Sequence, residues 1–281
     1  MSSRNGSTLK LVLGRVPPGF YVDMPWLNQH GVSRQLAHKY AEGGWLERVV
    51  TGLYRRPTPP SAQPPARDWV LPLLSAQRIM GYEIHVGGTT SLASGGYVHY
   101  LPLGRPAAYL YSNKPPSWLK RLPLQTELRL RKRRLFTDPN FGLENTEMST
   151  GSRNDDAPLP WEWPLVASSP ERAILEAIDE LPQTESFQLL DELFGSLVNL
   201  RPHVTTELLT TCTSVQVKRL FLVFADRHEH AWRKYLDLSA VDLGSGDRAF
   251  YPGGKLHPQY RITVPADLLP RSKGEGQGHA G

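Results

Sequence analysis

The chain has 281 residues, of which 40% are hydrophobic and one is cysteine, so we expect one or two globular domains and no internal disulfide. Its formal net charge is +5, and that excess falls in residues 1–56, where eight Lys or Arg residues stand against three Asp or Glu residues. The apolar runs are too short to span a bilayer and no export signal opens the chain, which predicts a cytoplasmic protein without a membrane partner.

Two short helices are predicted near the start of the chain. "VDMPWLNQHG" predicts a helix that ends at His30 and Gly31, and "GVSRQLAHKYAEGG" predicts a second helix with Ser33 as its N-cap and Gly43-Gly44 as its stop. The tight turn between them has the spacing of a helix-turn-helix. At about 100° per residue, one arc of the second helix collects polar side chains. They are Arg34, Gln35, His38, Lys39 and Glu42.

A basic hairpin is predicted directly after these helices. "WLERVVTGLYRR" has two apolar-alternating runs around a turn at Thr51 and Gly52. Arg48 precedes the turn, and Arg55 and Arg56 follow it. Together with the two helices, this hairpin predicts a winged helix-turn-helix with a basic wing.

The polar arc and the wing carry the side chains that DNA recognition needs. The major groove is about 12 Å wide and admits one helix, whose first-turn side chains reach base edges. Arg34 can pair with guanine and Gln35 with adenine, whereas basic wing residues would contact phosphates. The predicted DNA-contacting set is Ser33, Arg34, Gln35, His38, Lys39, Arg48, Thr51, Arg55 and Arg56. The same architecture also serves in protein interaction modules, which stays the alternative.

Proline punctuation predicts the domain boundaries. "RPTPPSAQPPARD" lacks amide donors and predicts a semi-rigid linker at residues 58–66, after a winged-helix domain at 1–57. A larger mixed α/β domain is predicted at 67–270. The polar tail at 271–281 is predicted to be disordered.

The larger part alternates between helix and strand signals. "DWVLPLLSAQRIMG" predicts a helix capped at Asp68, and "HVGGTTSLASGG" predicts a strand, a glycine turn and a short helix. "AAYLYS" and "TELRLRKRRLF" predict strands. Helices are predicted for "SPERAILEAIDELP", "ESFQLLDELFGSL", "HVTTELLTTC" and "SVQVKRLFLVFADRH", before glycine-turn hairpins near the end. The fold class is therefore α+β.

Two charge blocks stand out within the larger part. Residues 114–134 hold eight basic residues and one acid, and residues 138–192 hold thirteen acids and two arginines. Such blocks are usually solvated faces, but they also suit an anionic and a basic partner. Period-two alternation puts Arg129, Arg131 and Arg133 on one strand face as a possible second basic surface, and the acidic block could cover a basic protein surface.

Several separated segments resemble one known family. "GVSRQLAHKYAEGGWLERVVTGLYRRP" resembles the N-terminal winged helix of the AbiEi antitoxins. "HVGGTTSLASGGYVHYLPLG", "PPSWLKRL", "SPERAILEAI", "LRPHVTTELL", "SVQVKRLFL" and "DLGSGDRAFYPGGKLHPQYRITVP" are similar to later parts of that family, so the likeness covers about residues 8–265.

The resemblance implies a bacterial antitoxin that represses its own operon by binding inverted repeats upstream in double-stranded DNA. It also implies a cognate partner toxin, AbiEii, which is a nucleotidyltransferase. Direct contact with the toxin does not carry over, because family members differ in whether they touch it. A winged-helix regulator without antitoxin activity remains an alternative.

An enzymatic interpretation rests on one glycine turn. Gly87-Gly88 at a strand end could hold phosphate, but no Lys-Ser/Thr follows, as a Walker A loop requires. A nucleotidyltransferase needs an Asp-x-Asp/Glu pair for Mg²⁺, and the next acid after Glu83 is Glu127. Cys212 has no nearby histidine and is predicted to be a buried small hydrophobe. We therefore predict a structural turn, no catalytic residue, no metal and no cofactor.

Overall fold

The computed structural model describes residues 2–58, 67–97, 105–146 and 163–270. Two compact units make up the chain. The N-terminal unit comprises Met1–Thr90, Tyr100–Arg133 and Leu143–Ser168, and the C-terminal unit comprises Ser91–His99, Arg134–Gly142 and Ser169–Gly281. The N-terminal unit therefore contains residues from both sides of the predicted linker. The boundaries at 57 and 67 stay a prediction.

A winged helix-turn-helix begins the N-terminal unit. Its helices are α1 (Ser2–Arg15), α2 (Met24–Gln29) and α3 (Arg34–Glu42), and its strands are β1 (Tyr21–Asp23), β2 (Glu47–Val50) and β3 (Leu53–Arg55). β2 and β3 form the predicted wing, and β1 pairs with β3 to complete an antiparallel sheet in the order β1-β3-β2. Gly52 takes a φ of 82° at the wing turn, a conformation that favours glycine.

The N-terminal unit also contains a five-stranded mixed sheet. Its strands are β4 (His85–Val86), β5 (Ala107–Tyr111), β6 (Glu127–Arg131), β7 (Leu143–Thr146) and β8 (Leu165–Ser168), in the order β6-β5-β4-β8-β7. The β5–β6 and β4–β8 pairs are parallel and the other two are antiparallel. The predicted strand, glycine turn and short helix are confirmed, since α5 (Gly88–Ser94) follows β4.

The helix predicted to begin at Asp68 differs from the prediction at its start. α4 (Val70–Leu74) continues into a π-helical turn (Ser75–Ile79), and Trp69 occupies the N-cap without a side-chain hydrogen bond. The Asp68 carboxylate instead accepts a hydrogen bond from the Thr126 hydroxyl at 2.7 Å. The proposed cap was wrong because a partner distant in sequence binds the same carboxylate.

The four α-helices predicted after residue 168 are present in the described part of the C-terminal unit. They are α6 (Pro170–Asp179), α7 (Phe187–Ser196), α8 (Pro202–Thr211) and α9 (Val215–His228), followed by the hairpin strands β9 (Lys255–Leu256) and β10 (Thr263–Val264). Ser169, Ser186 and Ser214 cap α6, α7 and α9 through their hydroxyls. Phe194, Phe221 and other apolar side chains of these helices form one core. The α+β fold class with an N-terminal winged helix is confirmed.

Some predictions fall outside the described residues. These are most of the linker (59–66), most of residues 145–160, whose polar sequence without apolar periodicity predicts a surface loop, and the tail at 271–281. Asn145 and Thr146, which were assigned to that loop, belong to β7. Within the described residues, no helix is long and apolar enough to cross a membrane.

Candidate nucleic-acid interface

The second helix of the helix-turn-helix presents a polar face to solvent. Ser33 caps α3 by accepting a hydrogen bond from the Leu36 amide at 3.2 Å, as predicted. The opposite side of the helix is anchored by Ala37 and Tyr40, which are 0% and 5% exposed. The predicted polar arc is exposed throughout: Arg34, Gln35, His38, Lys39 and Glu42. α3 therefore has the polarity of a helix that packs on one side and can enter a groove on the other.

Arg34 stands at the start of this exposed face. Among the described residues, its side chain has neither an ion pair nor a hydrogen-bond partner. His38, one turn later, lies 3.3 Å from Glu42 in an exposed i,i+4 pair. Exposed pairs of this kind contribute little to stability, about 0–1 kcal/mol, so both side chains can exchange partners at low cost.

The basic side chains of the wing have different hydrogen-bond and ion-pair partners. Arg48 is exposed and donates a hydrogen bond to the Thr51 hydroxyl at 3.1 Å, which fixes it beside the turn. Arg55 pairs with Glu47 across β2 and β3, so part of its charge is neutralised. Of the two, Arg48 is the stronger candidate for a phosphate contact.

A groove joins α3 and the wing to a third segment, which lies about 70 residues later in the sequence than the wing. Arg34 and His38 line it from α3, and Arg48 and Thr51 line it from the wing. Arg121 also lines this groove from a 3₁₀ turn (Leu119–Arg121) that follows β5.

Asp23 explains why that segment lies beside the winged helix. Its carboxylate is 1% exposed, caps α2 through the Trp26 amide at 3.0 Å, and accepts hydrogen bonds from Tyr82 at 2.6 Å and Trp118 at 3.0 Å. Burial, followed by the hydrogen bond to Asp23, raises the pKa of Tyr82 above its usual range, so the hydroxyl stays protonated and donates. One buried carboxylate thus holds together the helix-turn-helix and two later segments.

Comparison with known families assigns both parts of the chain. Residues 5–103 match the model of the AbiEi antitoxin N-terminal domain, and residues 106–265 match that of the AbiEi antitoxin of type IV toxin–antitoxin systems. Both models describe transcriptional regulators. The chain belongs to the AbiEi family. The resemblance seen in the sequence is thereby confirmed, and this family is one of regulators rather than of enzymes.

A solved structure shares the fold of this AbiEi-family chain. The crystal structure of the RV2827C protein from Mycobacterium tuberculosis aligns with a TM-score of 0.55 and 16% sequence identity. The alignment covers 92% of this chain and 90% of that one. At this identity the likeness concerns the fold alone. A search of curated proteins gave no match.

One predicted contact in the wing has another role in this AbiEi-family chain. The Arg56 guanidinium donates hydrogen bonds to the carbonyls of Leu13 at 2.6 Å and Val16 at 2.8 Å, at the end of α1. Carbonyls at a helix C-terminus lack intrahelical donors and carry partial negative charge, which a cation satisfies. The structure therefore assigns Arg56 to holding α1.

The possible second basic surface is smaller than predicted. Arg129 and Arg131 do share a face, with their guanidinium carbons 5.3 Å and 5.5 Å from the centroid of the Tyr109 ring. Arg133 lies beyond the end of β6, its side chain is 5% exposed, and its Nη1 lies 3.4 Å from Glu83. The alternation ends with the strand, so Arg133 is excluded from a surface.

Part of the acidic block at 138–192 is buried, so the block does not form one continuous surface that could cover a basic protein. Glu171 and Glu176 on α6 are 2% and 1% exposed. Glu171 binds Arg201 at 2.8 Å, and Glu176 binds Arg172 at 2.8 Å. These carboxylates are engaged by arginines of their own unit, so the acid count overstates the negative surface.

The glycine turn after β4 is built into the sheet. The Gly87 amide donates to the Tyr109 carbonyl, and the Thr90 hydroxyl accepts from the Tyr109 amide at 2.8 Å. Gly88 takes a φ of 53°, so a structural reason for glycine exists there. Among the described residues, no cluster of three or more His, Cys, Asp or Glu side chains has a metal-binding arrangement.

Cys212 is buried in the C-terminal unit, as predicted. Its side chain is 4% exposed, and burial raises the pKa of its thiol to about 11. A protonated, buried thiol is a poor nucleophile.

Proposed function

We propose that this chain represses its own toxin–antitoxin operon by binding inverted repeats in the promoter through the winged helix. The observation that carries the proposal is the exposed polar face of α3, where Arg34 has no partner among the described residues and lines a groove with His38 and Arg48. The proposed site of action is the cytoplasm, where that DNA is found.

The proposed binding mode gives each side chain a distinct task. α3 enters the major groove, where Arg34 pairs with a guanine edge and Gln35 with an adenine edge. Lys39 and Arg48 contact phosphates, which fixes the register without reading sequence. The Ser33 and Thr51 hydroxyls and His38 complete the contacts, while Arg55 keeps its pair with Glu47.

Footprinting on the upstream DNA tests this proposal. Arg34→Ala is expected to cost about 1–3 kcal/mol in binding and to relax specificity at one base pair. Lys39→Ala is expected to weaken binding to all sequences and to lower the salt slope by about 1. Lys255→Ala, which removes an exposed charge of the C-terminal unit, is the control and is expected to change neither. Failure of the wild-type chain to protect any repeat at low salt would sink the proposal.

We further propose that the chain counteracts a nucleotidyltransferase toxin encoded in the same operon. The family assignment supports this step, and the C-terminal unit with its own core is the candidate for it. Truncation before residue 67 would cut through the N-terminal unit, so the full chain is the proper reagent.

Co-expression with the toxin tests the second proposal. A chain carrying Arg34→Ala and Lys39→Ala, expressed from a heterologous promoter, is expected to rescue growth as well as the wild type does. If neither chain rescues growth, the protein is a regulator without antitoxin activity. Co-purification of the two proteins decides whether rescue involves direct contact.

A further inference from the structure

We infer that Arg121 is a DNA phosphate contact, so that the DNA-binding surface extends beyond the winged helix into the part of the chain matched by the second family model. This inference rests on the proposed DNA binding and adds a residue to it. Arg34, His38, Arg48 and Thr51 lie within the region matched by the N-terminal model, whereas Arg121 lies within residues 106–265.

The position of Arg121 supports a phosphate contact. It lines the same groove as Arg34 from α3 and Arg48 from the wing, and Ser117 lines the groove beside it. Phosphates flank the major groove on both strands, so a protein that inserts a helix meets them on either side of that helix. Arg48 on the wing and Arg121 on the 3₁₀ turn thus bring two further cations to the groove that α3 lines.

The backbone that carries Arg121 is held rigidly. Arg121 is the last residue of a 3₁₀ turn, and its backbone amide donates a hydrogen bond to the Trp118 carbonyl at 2.9 Å. Trp118 and Leu119, which precede it, are 3% and 2% exposed. Trp118 in turn donates to the buried Asp23, which caps α2. A recognition group on a rigid support loses less conformational freedom on binding than one on a free loop.

The charge around Arg121 also favours a phosphate. Residues 114–121 contain Lys114, Lys120 and Arg121 and no acid. Arg121 is exposed, and its side chain forms no ion pair with another described residue. Among the described residues that line the groove, Asp23 is the one with a carboxylate, and it is buried and accepts three hydrogen bonds. The groove therefore presents cations, and the planar guanidinium of arginine suits a phosphate, which it binds through two parallel hydrogen bonds.

Titration of the full-length chain with fluorescent duplexes tests the inference. Two duplexes are used, one carrying the upstream inverted repeat and one of scrambled sequence, each at several salt concentrations. Arg121→Gln is expected to weaken binding to both duplexes roughly five- to twentyfold and to lower the salt slope by about 1. Arg121→Lys keeps the charge and is expected to recover the slope.

Controls separate this inference from the proposed function. Lys255→Gln removes one exposed charge outside the groove and is expected to leave both titrations unchanged. If Arg121→Gln matches Lys255→Gln while Arg34→Ala still loses operator binding, the role of Arg121 is overturned and the proposed function stands. If the wild-type chain binds neither duplex, the proposed function itself fails.

An acidic protein segment is the alternative occupant of the groove. A poly-glutamate peptide competes with the operator duplex in the same titration. If Arg121→Gln abolishes peptide binding and leaves duplex binding intact, the groove serves a protein and the inference is overturned. Thermal unfolding of each variant checks that the fold is retained, and a melting temperature close to that of the wild type is expected for an exposed residue.

Discussion

Arginine has different roles on the exposed face of α3 and in the core of the C-terminal unit. On α3, Arg34 is exposed and has no partner among the described residues. In the C-terminal unit, Arg172 is 2% exposed, binds Glu176 at 2.8 Å and the Phe141 carbonyl at 2.6 Å, and lies 4.6 Å from the Phe136 ring centroid. An arginine whose guanidinium has no partner within the protein is available to bind another molecule. An arginine whose guanidinium is bonded to carboxylates and carbonyls of the protein stabilises the fold instead.

Arg219 extends the comparison within the C-terminal unit. It is 3% exposed, and its guanidinium donates to the carbonyls of Leu243, Gly244, Gly246 and Arg261. This side chain binds both the loop before the terminal hairpin and the connection between the two hairpin strands. The charge of a segment therefore says little about its surface until the partners are known.

The largest expected effect comes from removing one partner of the buried pair. Glu176→Ala leaves the Arg172 guanidinium buried without its carboxylate, and we expect a loss of about 3–5 kcal/mol in the free energy of unfolding. Urea denaturation measures it. Glu192→Ala removes an exposed acid of the same unit and is expected to cost about 0.5 kcal/mol or less. Equal effects of the two changes would contradict the structural role of the buried pair.

Asp23→Ala tests the hub of the N-terminal unit. The change removes the cap of α2 and leaves the Tyr82 hydroxyl and the Trp118 indole without their acceptor, so we expect a loss of about 2–4 kcal/mol. Thermal and urea unfolding measure it, with Glu42→Ala on the exposed face of α3 as the control. A loss no greater than that of the control would show that the hub contributes little.

Glu171 predicts a pH dependence. Burial alone would raise the pKa of this carboxyl, but hydrogen bonds from the Arg201 side chain and backbone hold it below its ordinary value. Because the pKa is lower in the folded protein than in the unfolded chain, where it is about 4.3, the ionised carboxylate stabilises the fold at a pH above that value. This stabilisation is lost as the pH falls through the pKa of the folded protein.

Glu171→Gln is the matched variant for this pH dependence. We expect it to cost about 1–3 kcal/mol at neutral pH, because charged hydrogen bonds are lost, and progressively less as the pH falls below about 4. Melting temperatures of both chains from pH 7 to pH 3 provide the check. A constant difference across that range would contradict the assignment.

Substitution of Arg56 is expected to have the smallest effect on stability, and it separates a structural arginine of the wing from a DNA-binding one. Arg56→Gln removes the guanidinium from the Leu13 and Val16 carbonyls, and we expect a loss of about 1 kcal/mol in stability with an unchanged Kd for the operator. Arg48→Gln is expected to do the reverse, leaving stability unchanged and weakening binding. A loss of DNA affinity in Arg56→Gln at unchanged stability would return Arg56 to the recognition surface.

Local signals predicted most of the elements. Ser33, Ser169 and Ser186 each precede a helix with a clear apolar period, and each caps that helix in the structure. The wing was predicted from Thr51-Gly52 between alternating runs, and Gly52 has the positive φ that such a turn requires. These features depend on neighbours within a few residues, so the sequence displays them directly.

Features that depend on distant partners escaped prediction. α1 contains Gly6 and Gly14, which weaken a helix signal. Arg121 joins the candidate interface through the bond between Asp23 and Trp118, which are 95 positions apart in sequence. Arg56 has the same local pattern as a phosphate-binding wing arginine, and only the position of the end of α1 distinguishes it. The roles of Arg121 and Arg56 depend on tertiary contacts, which the local pattern of apolar and polar residues does not show.

Crossing protein and base substitutions tests the central claim most directly. Dissociation constants are measured for the wild-type chain and Arg34→Ala on a set of duplexes in which each base pair of the repeat is changed in turn. The account predicts that Arg34→Ala loses about 1–3 kcal/mol on the native repeat but binds almost as well as the wild type when one particular G·C pair is replaced. Equal weakening on every duplex, or no weakening at all, would contradict base recognition by the exposed face of α3.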